Sequence, residues 1–148
     1  MTKKLGLFIG RMNPPHKGHI AVIEKALSEN DQVLILLGSN GDVDENNPLT
    51  FEQRKNLLMQ YFLPSFRFNG RCPKDGGGNE NNSKIQIDII KDTKTDVEWV
   101  QNISNIIKEY GKIKLNIYGG DFEKDSAIIA IKQHEGLLGD NVKYISID

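Results

Sequence analysis

Five short apolar runs, each separated from the next by a segment of helical periodicity, restrict this chain more than any other feature. The runs are Leu5–Ile9, Gln32–Leu37, Lys84–Ile90, Ile113–Tyr118 and Val142–Ile147. Between them, Gly18–Glu29 repeats apolar side chains at Ile20, Ile23, Ala26 and Leu27, and Asp96–Tyr110 does so at Val97, Val100, Ile103, Ile106 and Ile107. Those spacings predict amphipathic helices, whereas the short runs predict strands. A helix over Phe51–Tyr61 is predicted by Thr50 and Gln53 at capping-box spacing, with Pro48 before it and Pro64 as its stop. A weaker helix is expected over Glu123–Gln133, and Gly111 marks the end of the one before the fourth strand. Gln32–Leu37 is apolar along nearly its whole length, which predicts a strand covered on both faces. Strands alternating with helices imply a parallel sheet with right-handed crossovers. The expected fold is α/β, a Rossmann-like doubly wound five-stranded parallel sheet with helices on both faces.

With 148 residues, the chain has the size of one domain, expected over 1–148, and can bury a core without disulfides. Residues 65–83 hold Gly76-Gly77-Gly78 and several asparagines without periodicity, the composition of a flexible loop insertion. The single cysteine, Cys72, rules out an internal disulfide and a cysteine-based zinc cluster. A formal net charge of −1 argues against a broad surface for nucleic acid or anionic membrane. No apolar run approaches spanning length, and Met1-Thr2-Lys3-Lys4 leads into a run too short for a signal-peptide core, so a cytoplasmic location is expected.

The chemistry concentrates between the first strand and the first helix, in Gly10-Arg11-Met12-Asn13-Pro14-Pro15-His16-Lys17-Gly18-His19. A helix start offers free N–H groups and a partial positive charge, which together form an anion site. Arg11, His16, Lys17 and His19 add donors suited to polyphosphate, and Gly18 lets the backbone approach it closely. Phosphoryl or adenylyl transfer requires positioning and charge stabilisation more than a protein nucleophile. The segment is not a Walker A loop, because no Gly-Lys-Ser/Thr follows, and no third zinc ligand lies near the two histidines; no protein-held metal is expected. In a doubly wound sheet such a loop opens at the carboxyl edge, together with the loops after Leu37, Ile90 and Tyr118.

Gly10–His19 resembles the first signature of the His-x-Gly-His nucleotidyltransferases, and its form is closest to archaeal-type nicotinamide mononucleotide adenylyltransferases. Gly38-Ser39, Asn47-Pro48-Leu49-Thr50-Phe51-Glu52-Gln53-Arg54, Ile90-Lys91-Asp92 with Trp99-Val100, and Gly119-Gly120 continue the likeness to about Asp121. The resemblance implies attack of the mononucleotide phosphate on the α-phosphate of ATP, with magnesium on the triphosphate. It implies that His16, His19, Arg11 and Lys17 act on the phosphates, and that Gly10, Gly18, Gly119, Gly120 and Asp121 line the ATP side. Asp92, Trp99, Asn47, Arg54, Gly38 and Ser39 fall to the second substrate. Trp99 is suited to stacking on a cationic nicotinamide ring or to packing in the core. Asp92 either contacts substrate or caps a turn, and Arg54 either enters the site or lies on a solvated helix face. The family follows its fifth strand with Ile-Ser-x-Thr/Ser-x-x-Arg, whereas these 148 residues close on Ile145-Ser146-Ile147-Asp148, so that phosphate arm has no counterpart in them.

The leading expectation is therefore an adenylyltransferase using ATP and nicotinamide mononucleotide or a related phosphorylated substrate. Relatives of this type commonly form homo-oligomers. Another member of the superfamily, such as a pantetheine-phosphate adenylyltransferase or a cytidylyltransferase, is the enzyme alternative. A regulatory module that keeps the nucleotide cradle without catalysis is the alternative from a different class.

Overall fold

The computed structural model describes residues 3–12, 16–39, 45, 48–62, 84–119, 126–139 and 141–146. The strands are β1 (Lys3–Gly10), β2 (Gln32–Ser39), β3 (Ile85–Lys91), β4 (Ile113–Gly119) and β5 (Val142–Ser146). The helices are α1 (Lys17–Glu29), α2 (Phe51–Phe62), α3 (Asp96–Lys108) and α4 (Ser126–Gln133), with a short 3-10 turn over Glu135–Leu138. All four strand pairings are parallel, and the sheet order is β3-β2-β1-β4-β5. The chain builds outward from β1 to β3, then crosses back to continue on the other side of β1. The point of reversal lies between β1 and β4, where ligands of such sheets bind at the carboxyl ends.

Strand alternation divides the core in two. Leu5, Leu7 and Ile9 face one side, where Val100, Ile103 and Ile107 of α3 and Ile128 and Ile131 of α4 cover them. Phe8 faces the other, with Ile20, Ile23 and Ala26 of α1 and Leu58 of α2. All five of Val33–Leu37 are buried, as a strand covered on both faces requires. The Thr50–Gln53 box closes the start of α2: Thr50 N–H donates to Gln53 Oε1 at 2.9 Å, and Gln53 N–H donates to Thr50 Oγ1 at 3.1 Å. Thr95 caps α3 through Glu98 N–H at 3.3 Å, and α3 ends at Lys108, short of the expected Tyr110. Gly111 takes φ 79° just beyond, the left-handed turn that stops the helix. The expected loop insertion over 65–83 lies outside the described residues. Among those described, no helix is long and apolar enough to cross a membrane.

A buried polar plug fills the space between the end of α1 and strands β1 and β4. Asn30, 6% exposed at the end of α1, donates from Nδ2 to Ala26 O and to Tyr118 Oη, both at 2.8 Å. Its Oδ1 accepts from Asn116 Nδ2 at 2.7 Å, and Tyr118 Oη donates onward to Glu29 Oε1 at 2.8 Å. The plug rests directly on Gly6, where a β-carbon would lie 2.8 Å from Asn30 Nδ2 and 3.4 Å from Ala26 Cβ. Every polar end of Asn30 is engaged, so its amide has no inexpensive way to move aside. Gly6→Ala should therefore destabilise the protein by about 1–3 kcal/mol through overpacking. Urea unfolding checks this, and a change below about 0.5 kcal/mol, the level of an ordinary surface substitution, would show that the plug yields.

Candidate active site

The first turn of α1 is capped by its own two histidines. His16 occupies the N-cap with extended backbone, φ −134° and ψ 179°, and its Nδ1 accepts from Gly18 N–H at 3.1 Å. His19, at the third helical position, accepts the His16 N–H on its own Nδ1, also at 3.1 Å. This is a capping box in which imidazoles take the places usually held by Ser or Thr and by Glu or Gln. A ring nitrogen that accepts carries no proton, so each neutral imidazole keeps its hydrogen on Nε2 and presents a donor there. The rings stack with centroids 3.6 Å apart and 23° between planes, and Phe8 lies against His19 at 6.1 Å. Partial burial, then the neighbouring His16, lower the pKa of His19 to about 4. His19 is thus neutral at physiological pH and held as an Nε2–H donor. Gly18 has a role here beyond backbone approach, because a β-carbon would sit 2.9 Å from His16 Cε1 and obstruct the folded-back ring. Lys17, at the first helical position, is exposed, and the first turn of α1 contains no acidic residue.

Arg11 follows β1 immediately and reaches across the end of β2 to Asp92, which follows β3. Arg11 Nη2 donates to Asp92 Oδ2 at 2.8 Å, with both side chains 45% exposed. Gly38 lies beneath this span, its position for a β-carbon 3.5 Å from Arg11 Cγ. Asp92 is therefore an ion-pair partner, and capping of the following helix falls to Thr95. Arg54 is only 2% exposed and does not lie on a solvated helix face. Its Nη1 donates to Arg11 O and Gly38 O, both at 2.7 Å, and its Nε to Thr50 O at 3.2 Å. Burial, and then the Arg11 charge, lower its pKa from the usual guanidinium value. The resemblance assigned Arg54 to substrate; in the structure its described partners are main-chain oxygens beneath the Arg11 segment.

Sequence patterns gave no warning of Met12. Its φ of 46° is the one positive value on a non-glycine among the described residues, and its side chain is 2% exposed. Such a backbone costs on the order of 1–3 kcal/mol, and burying a methionine side chain contributes about 1.5–3 kcal/mol. The two are comparable, so the buried side chain is what sustains the strained turn.

Those of the remaining expected residues that the structure describes are distributed along the same edge. Trp99 sits on the first turn of α3, partly buried against the core cluster that contains Ile90 and Val100. Gly10 ends β1, Gly119 ends β4, and Ser39 ends β2 in register with Lys91. Asn47, Gly120 and Asp121 lie outside the described residues. Among those described, no group of three or more His, Cys, Asp or Glu side chains is placed to hold a metal ion.

The low pKa of His19 fixes the sign of a pH effect. In the unfolded chain His19 titrates near 6.5 and in the folded protein near 4, so the unfolded state binds more protons between those values. Stability present above pH 6.5 is lost as the pH falls toward 4. His19→Gln keeps an acceptor for the His16 N–H and does not titrate, so it should flatten this part of the profile. Thermal midpoints from pH 7 to 4.5 test it: an equal acid loss in both proteins would rule out His19 as the responsible group.

Comparison with known proteins agrees with this layout. The cytidylyltransferase-like family matches residues 7–125. A nicotinamide-nucleotide adenylyltransferase of Caldivirga maquilingensis is 46% identical over 56 residues, covering 37% of this chain and 32% of that protein. The Pyrococcus furiosus protein of the same name is 26% identical over 108 residues, covering 72% of this chain and 51% of its own length. The chain thus spans about a third to a half of these curated relatives. A bifunctional NMN adenylyltransferase/ADP ribose pyrophosphatase from Francisella tularensis superposes with a TM-score of 0.70 at 23% identity, covering 99% of this chain and 38% of that one. The same enzyme complexed with AMP and a manganese ion gives 0.69 at 22% identity, covering 99% and 37%. At this identity the structural likeness concerns the fold. The match over 7–125, which contains the histidine box, the Arg11–Asp92 span and the reversal between β1 and β4, establishes that the chain belongs to the cytidylyltransferase-like family.

Proposed function

We propose that this chain carries the site of an adenylyltransferase that moves AMP from MgATP to nicotinamide mononucleotide or its acid form. The observation that carries the reading is the pair of stacked, mutually capping histidines at the start of α1, in the loop that follows β1 and Arg11 where strand order reverses. The names of the archaeal relatives support the choice of reaction within the family. An oxygen of the mononucleotide phosphate attacks the α-phosphorus of ATP. The new P–O bond forms as the bond to the β-phosphate bridging oxygen breaks, and pyrophosphate leaves with the electron pair. No protein nucleophile is required, so catalysis rests on charge placement. The Nε2–H groups of His16 and His19, the Arg11 guanidinium, Lys17 and the free N–H groups of α1 supply it. Gly10, Gly18, Gly119, Gly120 and Asp121 line the ATP side in this reading. Gly38, Ser39, Asn47, Asp92 and Trp99 serve the second substrate, with Arg54 supporting them from below. Magnesium enters as part of the ATP substrate, where it neutralises the triphosphate.

Pyrophosphate release, measured from MgATP with nicotinamide mononucleotide, its acid form and pantetheine phosphate, and from MgCTP with a phosphorylated alcohol in parallel, tests the reaction. Turnover confined to the two nicotinamide-type nucleotides is the expected result, and none with either would overturn the reading. Removing one preorganised donor typically lowers turnover about 100- to 1,000-fold, so His19→Ala should do so with ATP affinity little changed. A variant with near-normal turnover would remove His19 from the chemistry. Trp99→Ala should raise KM for the mononucleotide roughly five- to tenfold, the loss of one cation–π stack, and leave KM for ATP unchanged. Equal damage to both substrates would instead assign Trp99 to packing.

A further inference from the structure

We propose that Met12 is a positioning residue for this site: its left-handed backbone, locked by a buried side chain, aims Arg11 at the edge where the histidine box opens. The inference rests on the reading of the site given above. Elsewhere among the described residues a positive φ falls on glycine, at Gly111 and Gly139, each at the end of a helical segment. At position 12 a methionine takes that conformation between the end of β1 and the motif histidines. Glycine would adopt it without strain, but would leave many other conformations open and supply no anchor. Methionine does the reverse. Its side chain closes over Gly10, whose β-carbon position is 3.5 Å from Met12 Cε, and enters the cluster that holds Phe8 of β1 with Ile20 and Ile23 of α1. One side chain thus joins the strand that ends at the motif to the helix that begins in it.

Arg11 is gripped where the chain leaves β1. Its carbonyl accepts from Arg54 Nη1 at 2.7 Å, and its C-terminal neighbour is the buried, strained Met12. With the main chain fixed on either side, the Arg11 side chain leaves in one direction, across Gly38 to Asp92. Met12 touches no reacting atom in this account. It acts through Arg11.

The test compares Met12→Leu, which keeps the anchor, with Met12→Gly, which relieves the strain and removes the anchor. With MgATP and nicotinamide mononucleotide, Met12→Leu should keep kcat within about threefold of the parent. Met12→Gly should lose at least tenfold in kcat, measured at a temperature where melting curves show it fully folded. In an Arg11→Ala background, Met12→Gly should lose less than twofold further, since the group it positions is gone. A full tenfold loss in both backgrounds, or none in either, would overturn the proposal. A second readout does not depend on turnover: the side-chain Nε–H resonance of Arg11, assigned by its loss in Arg11→Ala. That signal should be resolved in the parent and in Met12→Leu, and move to the position of a free arginine in Met12→Gly. An unchanged signal in Met12→Gly would overturn the proposal even if the adenylyl-transfer reading itself had failed.

Discussion

Arg54 is almost completely removed from water, and it turns its donors onto main-chain oxygens at Arg11, Gly38 and Thr50. At the carboxyl end of a parallel sheet the ladder runs out, and carbonyls there must find partners or remain costly. One planar guanidinium, with donors in a fixed fork, satisfies oxygens from the ends of β1 and β2 and from the cap of α2 at once. The same group sets the electrostatics of the edge. Its described partners are neutral, so its charge is not cancelled there, and it stands beneath a second arginine. A positive charge is thereby kept beneath Arg11 at the carboxyl ends of β1 and β2.

The histidine box couples local folding to chemistry. The nitrogen that caps the helix and the nitrogen that offers a donor belong to the same ring, so securing one fixes the other. Partial burial and the neighbouring His16 hold His19 neutral, and neutrality is what allows its Nδ1 to accept from the cap. A proton added to His19 would remove that acceptor and set a charge against His16. Helix start and Nε2–H donor therefore share one protonation state.

The sheet, its helices and the edge that carries the motif were legible because period-two and period-3.6 patterns are local signals. The Thr50–Gln53 box was readable for the same reason, and strand and helix limits moved by only a few residues. His16 and His19 have capping-box spacing too, but residue type concealed it, since histidine is rarely counted among capping residues. Gly6 within a strand signals close approach of another group, yet nothing local names Asn30, which comes from 24 positions along the chain. Trp99 showed both possibilities in sequence, and its partial burial against the core keeps both physical features in one ring. Arg54 read as a surface or site residue because its partners are main-chain oxygens, which no side-chain pattern encodes. Met12 gave no signal at all: its strain exists only once the tertiary packing that sustains it is in place.

The contact between Arg11 and Asp92 means that the arginine is never an idle charge. On the proposed reading, an arriving phosphate meets a guanidinium that already holds a carboxylate through Nη2 at 2.8 Å. Half-exposed pairs of this kind are worth about 0.2–1 kcal/mol, small enough to be displaced and large enough to set a threshold. A phosphate that displaced this carboxylate would leave it free for a hydroxyl or amide donor. On that reading, taking up an anion at one end of β1 would expose an acceptor beyond β3.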